Sequence, residues 1–213
     1  MKLLLTSSGI TNRSLAAVVR KLVKGKIKIA FIPTAANVVE EEKSWLINDF
    51  NNCQKLGTVD IVDISALPKR IWLPRLKRSN VIVVGGGDSS HLMKCIISSG
   101  FKEELPKLLK THIYVGISAG SIVMSKNLRA SSSLIFSKNK GKFPKGLNFI
   151  NFYTRPHLNS PKRPKCRINY LDKIVKNFDK NVYAIDDNSG VLVDGNKIEV
   201  ISEGKWKLYK RQR

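Results

Sequence analysis

Ile113-Tyr114-Val115-Gly116-Ile117-Ser118-Ala119-Gly120-Ser121-Ile122-Val123-Met124 is the stretch on which the reading of this chain turns. Ile113 to Val115 is an apolar run of the kind that forms a buried strand, and Ser121 onward has the character of a helix. Between them, Gly116 to Gly120 spell Gly-x-Ser-x-Gly, the pattern of a nucleophile elbow. Such a turn lifts a serine hydroxyl clear of the backbone, and its small residues let neighbouring chain pass close. A plain Gly/Ser-rich connection would leave the same letters. Ser118 is therefore a candidate nucleophile that needs partners before it means anything.

Outward from this turn, strand-like and helix-like segments alternate. Leu3 to Thr6 reads as a strand, followed by a helix capped at Thr11 or Asn12 and running to about Val23. Lys28 to Pro33 is a second strand. A helix within Ala36 to Leu56 carries Trp45, Leu46 and Phe50 on an apolar face and stops at Gly57. Val59 to Ile64 is strand, Leu67 to Leu76 a short helix, and Asn80 to Val84 a strand running into Gly85-Gly86-Gly87. Ser89 or Ser90 caps a helix to Ile97, and Lys102 to Leu109 forms another. This alternation predicts a mostly parallel sheet covered by helices on both faces, with ligands at the carboxyl ends of the strands.

The last third differs. Leu147 to Tyr153 and Asn181 to Ile185 read as strands, and Arg167 to Phe178 as a helix. Gly190 to Val193 and Lys197 to Ile201 form an antiparallel hairpin around Asp194-Gly195-Asn196, and Lys205 to Tyr209 is an edge strand. Ala130 to Lys145, rich in Ser, Lys and Gly, reads as a mobile loop. No repeat or linker divides the chain, so residues 1–213 are expected to form a single domain, a three-layer α/β/α sandwich.

Composition narrows the function. The 213 residues are 42% hydrophobic and 25% charged, ordinary for a globular enzyme. No run approaches the roughly 20 apolar residues of a membrane span, and the first residues have too short an apolar core for a signal peptide. Cys53, Cys95 and Cys166 are odd in number and far apart, which suits reduced thiols in a cytoplasm and neither a metal site nor a redox pair. The formal charge of +22 is unusual. It could serve a nucleic acid, but the lysines are spread along the whole chain without a nucleic-acid-binding motif, so that partner is disfavoured. Acids are absent between Glu104 and Asp172, the span that holds Ser118. A positive field there would draw in anionic substrates.

A serine nucleophile needs a base, and three histidines are available. His112 opens the elbow strand at its far end and reads as a surface residue. His91 sits in the first turn of a helix. His157, in Tyr153-Thr154-Arg155-Pro156-His157, follows a strand on a segment stiffened by proline, and is favoured. The acid that orients the imidazole cannot lie between Ser118 and His157, which excludes the residue order of an α/β-hydrolase. It comes instead from Ile185-Asp186-Asp187-Asn188, with Asp187 ahead of Asp186, while Asp172 and Asp179 read as solvent-facing. Ala119 N–H and a donor from Gly86 or Gly87 could form an oxyanion hole.

Together, Val-Gly-Gly-Gly-Asp-Ser-Ser-His-Leu (84–92), Gly-Ile-Ser-Ala-Gly-Ser (116–121), Pro-His (156–157) and Ile-Asp-Asp-Asn-Ser-Gly-Val-Leu-Val-Asp-Gly (185–195) resemble the dipeptidase E (alpha-aspartyl dipeptidase) family of serine peptidases. The resemblance implies a class I glutamine amidotransferase-like fold and cytoplasmic hydrolysis of small peptides without metal; no cofactor is expected, and the chain is expected to act as a monomer or homodimer on a small peptide substrate. It puts Ser118 on the family nucleophile, His157 on its histidine and Asp187 on an acid of relatives. Some members have an aspartate between nucleophile and histidine; here Ser131 to Ser133 occupy that region. Asp-selective members read the substrate carboxylate with an arginine after the histidine; Arg163 and Arg167 are the candidates here, at a spacing that departs from the family's. A cyanophycinase-like or broader aminopeptidase specificity, and a non-catalytic nucleic-acid-binding role on the same fold, are the other readings.

Overall fold

A computed structural model describes residues 1–135 and 142–211. Five strands run parallel: β1 (Lys2–Thr6), β2 (Lys28–Ile32), β3 (Thr58–Ile61), β4 (Val81–Val84) and β5 (Ile113–Ile117). The helices between them are α1 (Arg13–Leu22), α2 (Ser44–Gln54), α3 (Lys69–Arg78), α4 (Ser89–Ser98) and α5 (Phe101–Leu108). The short α6 (Ala119–Ile122) follows β5 directly, and α7 (Ser132–Ile135), β6 (Tyr153–Arg155), α8 (Ile168–Ile174) and β7 (Val182–Ile185) come next. The chain ends with β8 (Ser189–Asp194), β9 (Lys197–Ser202) and β10 (Trp206–Tyr209).

The main sheet has seven strands in the order β3-β2-β4-β5-β1-β8-β9, with the β8–β9 hairpin added antiparallel to β1. A second sheet, β10-β7-β6, stands beside it. The central strands are apolar on both faces because both are covered. Leu4, Phe31, Val83 and Val115 pack with Leu15 and Val19 of α1 and Cys53 of α2. Leu3, Leu5, Ile82, Val84 and Tyr114 pack on the other side with Trp72, Leu92, Phe101 and Leu105 of α3, α4 and α5. Successive residues of a strand face opposite ways, so one run of letters supplies both cores.

The alternation and mostly parallel sheet match the expectation, and local details correct it. Asn12 caps α1, accepting from Leu15 N at 3.0 Å. Asp88 caps α4 through a 2.6 Å bond from His91 N, in place of Ser89 or Ser90, since a carboxylate one residue earlier reaches the same free amide. Leu147 to Phe152 is not strand; its amides bond to Val123, Met124 and Ser125 carbonyls, leaving only Tyr153–Arg155 to pair with β7. The helix expected from Arg167 to Phe178 ends at Ile174 and tightens into a 3₁₀ turn. Of the loop expected over 130–145, residues 132–135 form α7 and residues 136–141 lie outside the described residues. The edge strand near residue 205 joins β7 in the second sheet and not the hairpin.

Candidate active site

The carboxyl ends of β1, β4 and β5 meet at Ser118. Its backbone has φ 47° and ψ −101°, a strained conformation that costs on the order of 1–3 kcal/mol. Packing and hydrogen bonds hold it there. Tyr114 Oη donates to Gly120 O at 2.7 Å, Ser121 Oγ donates to Thr6 O at 2.8 Å and Gly116 O at 2.9 Å, and Ser118 N donates to Thr6 O at 3.0 Å. The glycines are required by close approach: a Cβ on Gly120 would stand 2.1 Å from Val84 O, and one on Gly116 would stand 2.7 Å from Gly120 O. Ser118 itself is half-buried.

His157 arrives from the second sheet. β6 and β7 are parallel with Arg155 opposite Ala184, which brings the residues just past both strand ends, His157 and the Asp186-Asp187 pair, together. His157 Nε2 lies 3.0 Å from Ser118 Oγ, and His157 Nδ1 lies 2.8 Å from Asp187 Oδ1. Asp186 faces the other way, accepting from Ser189 Oγ at 2.6 Å and from Lys205 N. The adjacent aspartates therefore separate into one that faces the histidine and one that ties down a turn.

Two serines after β1, which sequence reasoning passed over, complete the cluster. Ser7 Oγ accepts from His157 N at 2.8 Å and donates to Asp187 Oδ1 at 2.7 Å, and Ser8 Oγ donates to the same oxygen at 2.7 Å. The only signal for them was a Ser-Ser-Gly turn at a strand end. Burial would raise the Asp187 carboxyl, but the bonds from His157, Ser7 and Ser8 outweigh it and hold it well below the usual carboxylate range. Burial dominates at His157 and lowers its imidazole, against the opposing pull of the Asp187 hydrogen bond; Arg163 and Arg155 push the same way as burial.

Of the predicted oxyanion donors, Gly86 borders the serine: a Cβ there would stand 3.5 Å from Ser118 Cβ and 3.6 Å from Trp45 Cζ3. A Cβ on Gly87 would point instead into Ala35 O, 2.1 Å away. Among the described residues, the N–H groups of Gly86, Gly87 and Ala119 have no partner within the chain. Arg163 is exposed, yet near enough to His157 for its charge to act there. Arg167 is exposed at the start of α8, and no contact brings it to the serine.

Arg155, unremarked in the sequence, is 1% exposed. It donates to Ala130 O at 2.7 Å, Ser132 Oγ at 2.9 Å and Cys166 Sγ at 3.3 Å. It thereby ties the segment after α6 to the segment after His157. His112 is buried, not on the surface: its ring nitrogens lie 3.0 Å from Leu108 O and from Leu76 O, pinning α3 and α5 together. His91 sits 3.5 Å from Cys95 Sγ on α4, outside the serine cluster. Asp179 and Asp172 are not free solvent-facing acids, since Tyr153 and Tyr209 donate to them at 2.8 and 2.7 Å. Among the described residues no group of three or more His, Cys, Asp and Glu could hold a metal, and no helix is long and apolar enough to cross a membrane.

Known proteins share this arrangement of chain. An uncharacterized peptidase of Listeria innocua is 27% identical over 184 residues, 83% of this chain and 86% of its own length. One of Pasteurella multocida is 27% identical over 81% of this chain and 84% of its own. A peptidase E of Streptomyces coelicolor is 25% identical over 65% of this chain and 59% of its own. Among solved structures, a protein of Listeria monocytogenes provisionally described as a peptidase E superposes with a TM-score of 0.78 at 22% identity, covering 95% of this chain and 98% of that one. A peptidase from an acI-B1 actinobacterium gives 0.69 at 19% identity, covering 100% and 95%. These two likenesses concern the fold. The profile of peptidase family S51 matches residues 3–201, and the chain belongs to that family.

Proposed function

We propose that the protein is a serine-type peptidase that cleaves small peptides, dipeptides with an acidic N-terminal residue foremost, through an acyl-enzyme on Ser118. The observation that carries this is the relay of Ser118 Oγ, His157 and Asp187 at 3.0 and 2.8 Å, on a strained, half-buried elbow.

His157 Nε2 takes the hydroxyl proton as Ser118 Oγ bonds to the peptide carbonyl carbon. The oxyanion that forms meets the N–H groups of Ala119 and Gly86, with Gly87 as the other donor. His157 then gives its proton to the leaving amine as the C–N bond breaks. Water repeats the sequence on the ester, releasing the acid and restoring the serine. Asp187 stays ionised throughout and holds the tautomer that presents Nε2 to the serine.

The acidic preference draws on the acid-free span from residue 105 to 171 and on the charge of Arg163 near His157. A fluorophosphonate probe followed by mass mapping tests the nucleophile, with modification expected at Ser118 and abolished in Ser118→Ala. An unlabelled wild-type protein overturns the reading. A panel of Asp-X, Ala-X and Leu-X dipeptides tests the preference, and equal kcat/KM across the panel removes the acidic specificity while leaving the peptidase.

A further inference from the structure

Asp49 is a buried carboxyl that the mechanism above does not use. It lies on α2 one turn beyond Trp45 and shares its face. It is 7% exposed, accepts no hydrogen bond from any described residue and has no cation within ion-pair distance. Its oxygens are not among the enclosed polar atoms that lack partners, so they keep contact with solvent, and an almost buried acid with no partner in the chain is open to a charged ligand there.

Three sides of its surroundings belong to the serine site. A Cβ on Gly9 would stand 3.0 Å from Asp49 Oδ1 and 3.1 Å from Ile117 Cδ1, and Ile117 immediately precedes Ser118. Gly9 follows the Ser7-Ser8 pair that holds Asp187. Trp45, a turn earlier, reaches to the same point beside Gly86 that Ser118 borders. The carboxyl thus stands among the chain segments that carry the nucleophile, a proposed oxyanion donor and the clamp on the acid.

We propose that Asp49 forms the subsite for the free α-ammonium group of the substrate. The inference rests on the serine-peptidase reading. In a substrate cleaved at its first bond, the α-nitrogen is separated from the attacked carbonyl carbon only by the α-carbon, so its counter-charge must lie close to the nucleophile. A carboxylate is the group that can supply it, and the Trp45 ring offers a face that tolerates a cation.

The electrostatics agree. Burial, and then the Asp187 charge, raise the Asp49 carboxyl to about 7. Its own helix adds the Cys53 thiol, which burial and Asp49 push up to about 12. Arg13, Arg20 and Lys55 line the groove between α1 and α2 without pairing with it. The empty site therefore holds a proton near neutral pH, and an arriving ammonium ion displaces it.

Calorimetry with the Ser118→Ala protein tests this, comparing Asp-Leu with N-acetyl-Asp-Leu in the presence and absence of Asp49→Asn. The expected result is at least a tenfold loss of Asp-Leu affinity in the double variant, with the acetylated peptide binding equally to both. Asp-Leu affinity should also rise with pH through about 7 only where Asp49 is present. Asparagine fills the same space without charge, and an unchanged or higher Tm for Asp49→Asn separates the subsite from a structural role. Equal Asp-Leu affinity in both proteins, or no binding to either, overturns the subsite. A wild type that neither hydrolyses dipeptides nor is labelled at Ser118 overturns the peptidase reading instead.

Discussion

The Ser7 hydroxyl lies 2.8 Å from the backbone nitrogen of His157, a residue 150 positions later in the chain, and accepts its N–H. His157 has φ 63°, a left-handed conformation that a residue with a side chain does not adopt without support. Ser7 is fully buried, and its own proton goes to Asp187. One hydroxyl thus fixes both the backbone of the base and the carboxylate that orients its ring. Ser7→Ala leaves the amide and the carboxylate without their partner, at a cost of about 1–3 kcal/mol. The expected outcome is a lower Tm and a kcat/KM reduced by about 10- to 100-fold. An unchanged kcat/KM would show that the ring is held without it.

The two neighbouring aspartates should behave differently. Asp187→Asn keeps the shape but favours the wrong imidazole tautomer, and kcat should fall by about 10⁴-fold; the melting temperature should fall as well, because Ser7 and Ser8 lose their charged acceptor. Asp186→Asn removes the charge that accepts from Ser189 and the Lys205 amide, so it should lower stability while retaining most turnover. Steady-state kinetics and thermal melts of the pair check the assignment, and a reversal of the two patterns would refute it.

His157 must be neutral to accept the serine proton. Because burial lowers its imidazole, the acid limb of kcat should have its midpoint below the ordinary value of about 6.5, with full activity at neutral pH. The same shift makes the fold lose stability as pH falls from about 6.5, since the unfolded chain takes up a proton that the buried ring resists. A pH–rate profile with a kcat midpoint above 7 would contradict this environment.

Gly120 tests the elbow independently of chemistry. Alanine there brings a methyl group against the Val84 carbonyl at 2.1 Å, which only movement of α6 or β4 can relieve. We expect Gly120→Ala to destabilise by about 1–3 kcal/mol and to lower kcat steeply, because the displaced turn carries Ser118 with it. Denaturant unfolding gives the first quantity and probe-labelling rate the second.

Much of this molecule was legible in one dimension. The alternation of apolar strands with capped amphipathic helices determined the layered architecture, because such segments bury their faces only by stacking. The Gly-x-Ser-x-Gly turn marked Ser118 as the candidate nucleophile, since glycines at 116 and 120 are demanded by local chain crowding. The lack of acids between Ser118 and His157 pushed the third partner beyond residue 157. What the linear order did not reveal was anything formed by elements distant in the chain. That Asp187 and not Asp186 meets the ring is decided by the turn after β7, where Asp186 accepts from Ser189 and the Lys205 amide while Asp187 faces Ser7, Ser8 and His157. Ser7, Arg155 and Asp49 are common letters in unremarkable settings; only the convergence of β1, α2 and β6 at one sheet end gives them roles. Periodicity records which face of an element is buried, whereas the meeting of side chains 150 residues apart depends on packing angles and registers that no local pattern encodes.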